Sequence, residues 1–223
     1  NLSNAIWHEF SLLIDPNLLN QISSRNMQRL PEPELMTDAA QCQAYASADF
    51  AASNEMYVET VRTLIPASAT TVLDLGCGHG DVTIRLARQC PSLKITGVDG
   101  SPAMVQLAAK AIDDSGLSRT IEVLQGYVPG LPSATGHFDA ILSKDFLHHL
   151  PDPMALWHEI RRLIKPGGYV CVMDLRRPES TAAARQIVKD VAGNEPEILK
   201  TDFYNSLLAA FTPEEVQEQL KAA

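Results

Sequence analysis

The sequence predicts an α/β fold: a doubly wound parallel sheet in the order 3-2-1-4-5, preceded by helices. Three observations predict it. From Thr71 onward short β-rich runs alternate with amphipathic stretches, the first run opens into a glycine-rich turn, and the second ends on an acid, Asp99. Strand and helix in alternation give a parallel sheet covered on both faces, with ligands held at the carboxyl edge of the strands.

The expected strands are Thr71–Leu75, Lys94–Val98, Thr120–Leu124, Phe138–Ser143 and Gly168–Leu175. A helix over Asp81–Gln89 follows the glycine turn. Further helix starts are marked by Ser101-Pro102, by Asp152-Pro153 and by Thr212-Pro213-Glu214-Glu215, which has the form of a capping box with proline at the first helical position. Lys165-Pro166-Gly167-Gly168 turns the chain into the fifth strand. After Leu175 only helical stretches remain, around Thr181–Ala192, Ile198–Phe211 and Pro213–Ala222.

Residues 1–65 carry apolar side chains at helical spacing, broken at Asp15-Pro16 and at Leu30-Pro31-Glu32-Pro33. They are expected to form a helical lid before a main domain over residues 66–223. The sequence contains no repeat and no low-complexity segment.

The 223 residues, 45% hydrophobic, are enough for one substantial core. Eighteen basic against 27 acidic residues give a net charge of −9 without a basic cluster, which argues against a nucleic-acid partner. Cys42, Cys77, Cys90 and Cys171 stand far apart and form no disulfide or zinc pattern, which fits a reduced, cytoplasmic protein. No apolar run reaches the ~20 residues that cross a bilayer, so no membrane partner is expected.

The segment Val72-Leu73-Asp74-Leu75-Gly76-Cys77-Gly78-His79-Gly80 runs from strand to tight turn to helix, and its glycines let backbone N–H groups approach a ligand. Asp99, at the tip of the next strand, is placed to accept hydrogen bonds from the ribose of an adenosine cofactor. Both NAD and S-adenosylmethionine have that ribose. The Gly-x-Gly-x-Gly spacing, with Asp81 where a dinucleotide motif has its third glycine, and the carboxylate of Asp74 favour the second, because Asp74 would repel a pyrophosphate but attract an ammonium.

Matches from Val72 to Leu175, in the order VLDLGCGHG, TGVDGSPAM, EVLQGYVPGLP, FDAILSKDFLHHLPDP and LIKPGGYVCVMDL, mean that the chain resembles the class I S-adenosylmethionine-dependent methyltransferases. The more extended pattern, with PEPELM, DLRRP and DFYNSLL, is similar to a bacterial subgroup. The resemblance implies a Rossmann-like fold, S-adenosylmethionine as cofactor and S-adenosylhomocysteine as product. It implies that Asp74, Gly76, Cys77 and Gly78 border the methionine part, that Asp99 and Gly100 meet the ribose, and that Met104 packs on the adenine. Gly126, Tyr127 and Val128 occupy the stretch beside the adenine edge, with Tyr127 where many members have Asp. Ser143 at the fourth strand tip and Tyr45 in the preceding helices complete the expected contacts. Members of the family usually close the sheet with two more strands, which this sequence does not show after Pro213–Ala222. An unpaired fifth strand is a route to self-association as a homodimer.

His148 and His149, just past the fourth strand, are candidates to deprotonate a hydroxyl or thiol acceptor, and equally to pack and cap the loop over the cofactor. Asp174, followed by Arg176 and Arg177, faces the acceptor or forms an ion-paired corner. Tyr57, the helix around Tyr204–Leu208 and Cys77 read as packing residues. The expected activity is methyl transfer to a small-molecule acceptor. The competing readings are a non-catalytic cofactor-binding module and a nicotinamide-dependent oxidoreductase.

Overall fold

The computed structural model describes residues 27–32, 36 and 38–223. The helices expected before residue 27 and the Asp15-Pro16 break lie outside the described residues, as do positions 33–35 and 37. Two helices, α1 (Ala39–Ser47) and α2 (Ala51–Leu64), lead into the sheet. Then follow β1 (Thr71–Leu75), α3 (Asp81–Gln89), β2 (Lys94–Asp99), α4 (Pro102–Asp114), β3 (Ile121–Gln125), β4 (Phe138–Lys144), α5 (Met154–Leu163), β5 (Ile164–Met173), α6 (Thr181–Ala192), α7 (Glu197–Ala209) and α8 (Pro213–Ala222).

All pairings are parallel, as the strand and helix alternation predicts, and the order is β3-β2-β1-β4-β5, the order expected of the family that the sequence resembles. Successive side chains of a strand point to opposite faces, and β1 shows the division. Val72 joins Ile95, Ala140 and Leu142 under α2, α3 and α4, where Val58, Val61, Ile84, Leu86 and Ala108 cover them. Leu73 and Leu75 face the other way with Ile141, against Leu156, Trp157, Ile160 and Leu163 of α5. Burying each of these side chains contributes roughly 1.5–3 kcal/mol, so the two layers hold the strand tips, and the ligand edge, in fixed register.

Two of the expected helix starts are capped as read. Ser101 Oγ accepts from the Met104 N–H, and Thr212 and Glu215 form a reciprocal capping box. α5 begins one residue later than Asp152-Pro153 suggests, with Asp152 Oδ1 accepting from the Met154 N–H at 2.9 Å.

β5 departs from the expected range at both ends. It starts at Ile164, directly from α5, because Ile164 pairs with Phe138 before the register slips and Ala140 meets Tyr169. Lys165-Pro166-Gly167-Gly168 is therefore a bulge within the strand, with Gly167 at φ +77°, rather than a turn before it. The strand ends at Met173, so Asp174 is released from the ladder. Among the described residues β5 pairs only with β4, and no helix among them is long and apolar enough to cross a membrane.

α2 is bound to the tips of β4 and β5 by one phenol. Tyr57 is 1% exposed. Its hydroxyl donates to the Cys171 carbonyl at 2.7 Å and accepts from the Ser143 N–H at 3.2 Å. Tyr57→Phe keeps the ring and leaves both backbone groups without this partner, at a cost of about 1–3 kcal/mol. Urea denaturation is expected to show a lower midpoint with an unchanged slope.

Candidate cofactor and acceptor site

The turn after β1 is built by three glycines with positive φ, Gly76 (75°), Gly78 (54°) and Gly80 (87°). The N–H groups of Gly76 and Cys77 both donate to the Val98 carbonyl, at 2.8 and 3.0 Å, tying the turn to β2. A side chain at Gly76 would run into the ring of Phe146, whereas Gly78 faces open space. Asp99 completes the tie, its Oδ2 accepting from the Gly78 N–H at 2.9 Å and its Oδ1 from the Ser101 N–H at 2.8 Å. Burial raises the Asp99 carboxyl above its ordinary value, and these two donors hold it back.

Asp74 points into the same space. It is 2% exposed and accepts the Thr83 hydroxyl at 2.7 Å. Burial pushes its carboxyl up to about 6, against the Thr83 hydrogen bond and with Asp99 adding repulsion. The pocket over the turn is lined by Asp74, Gly76, Cys77 and Gly78 from the sheet side, and by Tyr45, Phe50 and His79 above. Tyr45 packs on Phe50 at 4.8 Å and meets His79 edge-on at 6.0 Å, so the three rings form a roof. Lys144 and Asp145, paired with each other, close the β4 side.

Phe50, Asn54, His79, Lys144 and Asp145 were not among the residues expected here. Asp145 has φ +53°, a conformation that a non-glycine residue rarely takes and that clusters at functional sites, but only a backbone reveals it. Asp81, in the third glycine's place, accepts from Asn54 Nδ2 at 2.8 Å and from Arg85 at 2.7 Å, joining α2 to α3. That pairing was invisible because Asn54 lies 27 residues away.

On the far side of Asp99, Met104 is buried in the first turn of α4, and the Gly126 N–H donates to the Asp99 carbonyl at 3.0 Å. Tyr127 is 56% exposed, and Gln125 Nε2 donates to both its hydroxyl and the Gly100 carbonyl. Val128 leans on the second core, and Ser143 Oγ is buried with no partner among the described residues.

His148 and His149 lie in a short 3-10 turn, Leu147–His149, their rings 4.2 Å apart. His148 is 2% exposed. Asp174 accepts from its backbone N–H at 3.0 Å and bonds its Nδ1 at 2.5 Å, while Glu32 Oε1 lies 3.6 Å from its Nε2. Burial works against protonation of this imidazole, but Asp174 and then Glu32 outweigh it and raise its pKa. His149 Nδ1 lies 2.6 Å from the same Glu32 oxygen.

Glu32 reaches the cluster on a segment that Arg29 fastens down. The Arg29 guanidinium donates to the carbonyls of His148, Leu150 and Ala209, and stacks on Phe211 at 4.0 Å. Asp174 is thus partnered by histidine rather than by the arginines after it. Arg177 bonds Glu215 and the Ala210 carbonyl, and Arg176 bridges to Phe211.

The turn, the ribose acid and the strand order form one arrangement, and residues 72–168 match the family described as a methyltransferase domain. That segment is a methyltransferase domain. The demethylmenaquinone methyltransferase of Lactobacillus johnsonii is 37% identical over 107 residues, 48% of this chain and 44% of that protein. The ubiquinone biosynthesis O-methyltransferase of Xylella fastidiosa is 32% identical over 126 residues, 56% and 50% of the two. The chain therefore spans about half the length of the curated relatives it matches. Among solved structures, an S-adenosylmethionine-dependent methyltransferase from Aquifex aeolicus superposes with a TM-score of 0.62 at 22% identity, covering 83% of this chain and 87% of that one.

The pocket fits S-adenosylmethionine in two respects that are independent of the family match. Gly78 leaves a side of the turn open where a bound group can lie against backbone, and Asp74 offers a buried carboxylate with only one hydroxyl partner. The cofactor supplies a sulfonium methyl group as electrophile and an ammonium at its methionine end, which suits Asp74.

The raised pKa of Asp74 sets opposite pH dependences for binding and for folding. With a folded-state value of about 6 against an ordinary 3.8, the ligand-free fold holds the proton more tightly than the unfolded chain. Its stability contribution is therefore present at low pH and lost as pH rises through that window. Cofactor affinity runs the other way and is expected to fall up to about tenfold per unit as pH drops below 6. Calorimetric titration between pH 5 and pH 8 (a range around that value) should show this slope, and Asp74→Asn should flatten it.

Proposed function

We propose that the chain transfers the methyl group of S-adenosylmethionine to a hydroxyl oxygen of a small, uncharged or cationic acceptor. The acceptor would lie beyond Lys144 and Asp145, between the His148–His149 turn, the Arg29–Glu32 segment and α7. The observation that carries this reading is the cluster of Glu32, His148, His149 and Asp174 at the tips of β4 and β5, beside the cofactor pocket. Carboxylates at Glu32, Asp174 and Asp145 disfavour an anionic acceptor by like-charge repulsion, and the net charge of −9 works in the same direction. The two relatives are named for quinone biosynthesis, whose acceptors are small molecules.

Methyl transfer is an in-line displacement, and holding nucleophile, methyl carbon and sulfur in line supplies much of its rate. In this reading the tied turn and Asp99 fix the cofactor, and the wall formed by α7 and the Arg29 segment fixes the acceptor. His149 takes the hydroxyl proton, oriented by Glu32 through its Nδ1. His148, flanked by a carboxylate at each ring nitrogen, positions the turn and does not meet the acceptor.

Titration with S-adenosylmethionine and S-adenosylhomocysteine, with NAD as control, tests the first half. Asp99→Ala should weaken binding about a hundredfold through the loss of charge-assisted hydrogen bonds. An acceptor screen over phenols and quinols tests the second. His149→Ala should lower kcat by roughly 10²- to 10⁴-fold with cofactor affinity nearly unchanged. An unchanged kcat removes His149 from the chemistry, and saturable binding without transfer to any acceptor leaves a cofactor-binding module.

A further inference from the structure

The turn that carries the two histidines does more than share protons. One nitrogen of His148, one of His149 and one oxygen of Glu32 lie within 4.8 Å of one another. We propose that Glu32, His148 and His149 form a binding site for one divalent transition-metal ion of the zinc type. Two imidazoles and one carboxylate are a donor set that such ions take, and three protein ligands leave a position open for water or an acceptor oxygen.

The spacing suits an ion. Donors at bond lengths of about 2.0–2.2 Å around a tetrahedral ion stand roughly 3.3 Å apart. His148 Nε2 and Glu32 Oε1 are already 3.6 Å apart, and His149 Nδ1 and the same oxygen, at 2.6 Å, are held by a hydrogen bond. Binding exchanges that shared proton for the ion and opens the contact by less than 1 Å.

The tautomer is set for ligation as well. Asp174 takes the Nδ1 side of His148 at 2.5 Å and its backbone N–H at 3.0 Å, directing the Nε2 lone pair toward Glu32. A carboxylate behind a ligating histidine is the usual support of such sites. Glu32 is positioned from behind by the Ser206 hydroxyl, 3.2 Å from its Oε2. With the side chains of His148 and Glu32 only 3% and 10% exposed, little rotamer freedom remains to be lost on binding.

A second observation is independent of the three ligands. Asp202, on α7, lies within electrostatic reach of Glu32 and His149; Gln41 bonds its carboxylate, and its Oδ2 is buried with no hydrogen-bond partner among the described residues. Three carboxylates, Glu32, Asp174 and Asp202, thus face two imidazoles, and Arg29 gives its N–H groups to backbone carbonyls. Arg29, within electrostatic reach of Glu32 and Asp174, supplies part of the opposing charge, and a bound cation supplies more.

Occupancy of the site does not depend on the proposed methyl transfer, but its use rests on that reading. An acceptor hydroxyl bound to the ion loses its proton more readily, and His149 then serves as a ligand instead of taking the proton itself.

The test is uptake of cobalt(II), followed by visible absorption, and of zinc, followed by calorimetry, on chelator-stripped chain. Glu32→Gln and His149→Ala are run alongside, with exposed His158→Ala as control and S-adenosylhomocysteine affinity as the check on folding. One equivalent is expected, with imidazole-type absorption for cobalt, and at least about a tenfold loss of affinity in the first two variants. The proposal is overturned by the absence of saturable uptake in wild-type chain that binds S-adenosylhomocysteine, or by uptake equal in all variants. Metal uptake without methyl transfer would overturn the acceptor reading alone, and transfer by metal-free chain that takes up no ion would overturn the metal site alone.

Discussion

Parallel strands bring all their carboxyl ends to one edge, and the site depends on the hydrogen bonds that join the first two of those ends. Gly76 and Cys77 donate to Val98, and Gly78 donates to Asp99, so the turn after β1 cannot move without β2. Everything nearby is positioned against this joint. The ring of Phe146 fills the space that a side chain at Gly76 would need, and Phe146 leads directly into the turn that holds His148 and His149. A glycine is required at position 76 for two reasons at once, a positive φ and a close approach.

The cofactor and acceptor sides are held by different physics. The cofactor side rests on local backbone geometry and two carboxylates, the buried Asp74 and the half-buried Asp99, whose desolvation a ligand with an ammonium and hydroxyls relieves. The proposed acceptor side rests on long-range pairing: Glu32 with His149, Asp174 with His148, Arg29 with the ends of α7 and of the histidine turn.

This difference explains how much could be read from the sequence. The glycine turn, Asp99 and the capping box at Thr212 follow from residue type and spacing within a few positions, and the sequence carries that information directly. The bulge at Lys165–Gly168 looked like a turn because proline and two glycines serve both purposes. Tyr127 stands at the expected place in the chain with its side chain 56% exposed, and how far that side chain is covered is not encoded by its neighbours in sequence. His148 and His149 were legible as candidates, whereas their partner Glu32 was not, since it lies 116 or more positions away on a segment whose composition says only that it is extended. Asp174 was read with the two arginines beside it, although its partner comes from across the sheet edge.

The arginine at position 29 gives the molecule an order of assembly. It joins carbonyls 119, 121 and 180 positions further along the chain, so the wall it completes cannot form until β4, its following turn and the end of α7 have already met. Contacts of such wide sequence separation are entropically expensive to close. The glycine turn and Asp99, by contrast, lie within a stretch of 24 residues, Gly76 to Asp99. The turn and Asp99 therefore join at a small cost in chain closure, whereas the wall waits on elements far apart in sequence.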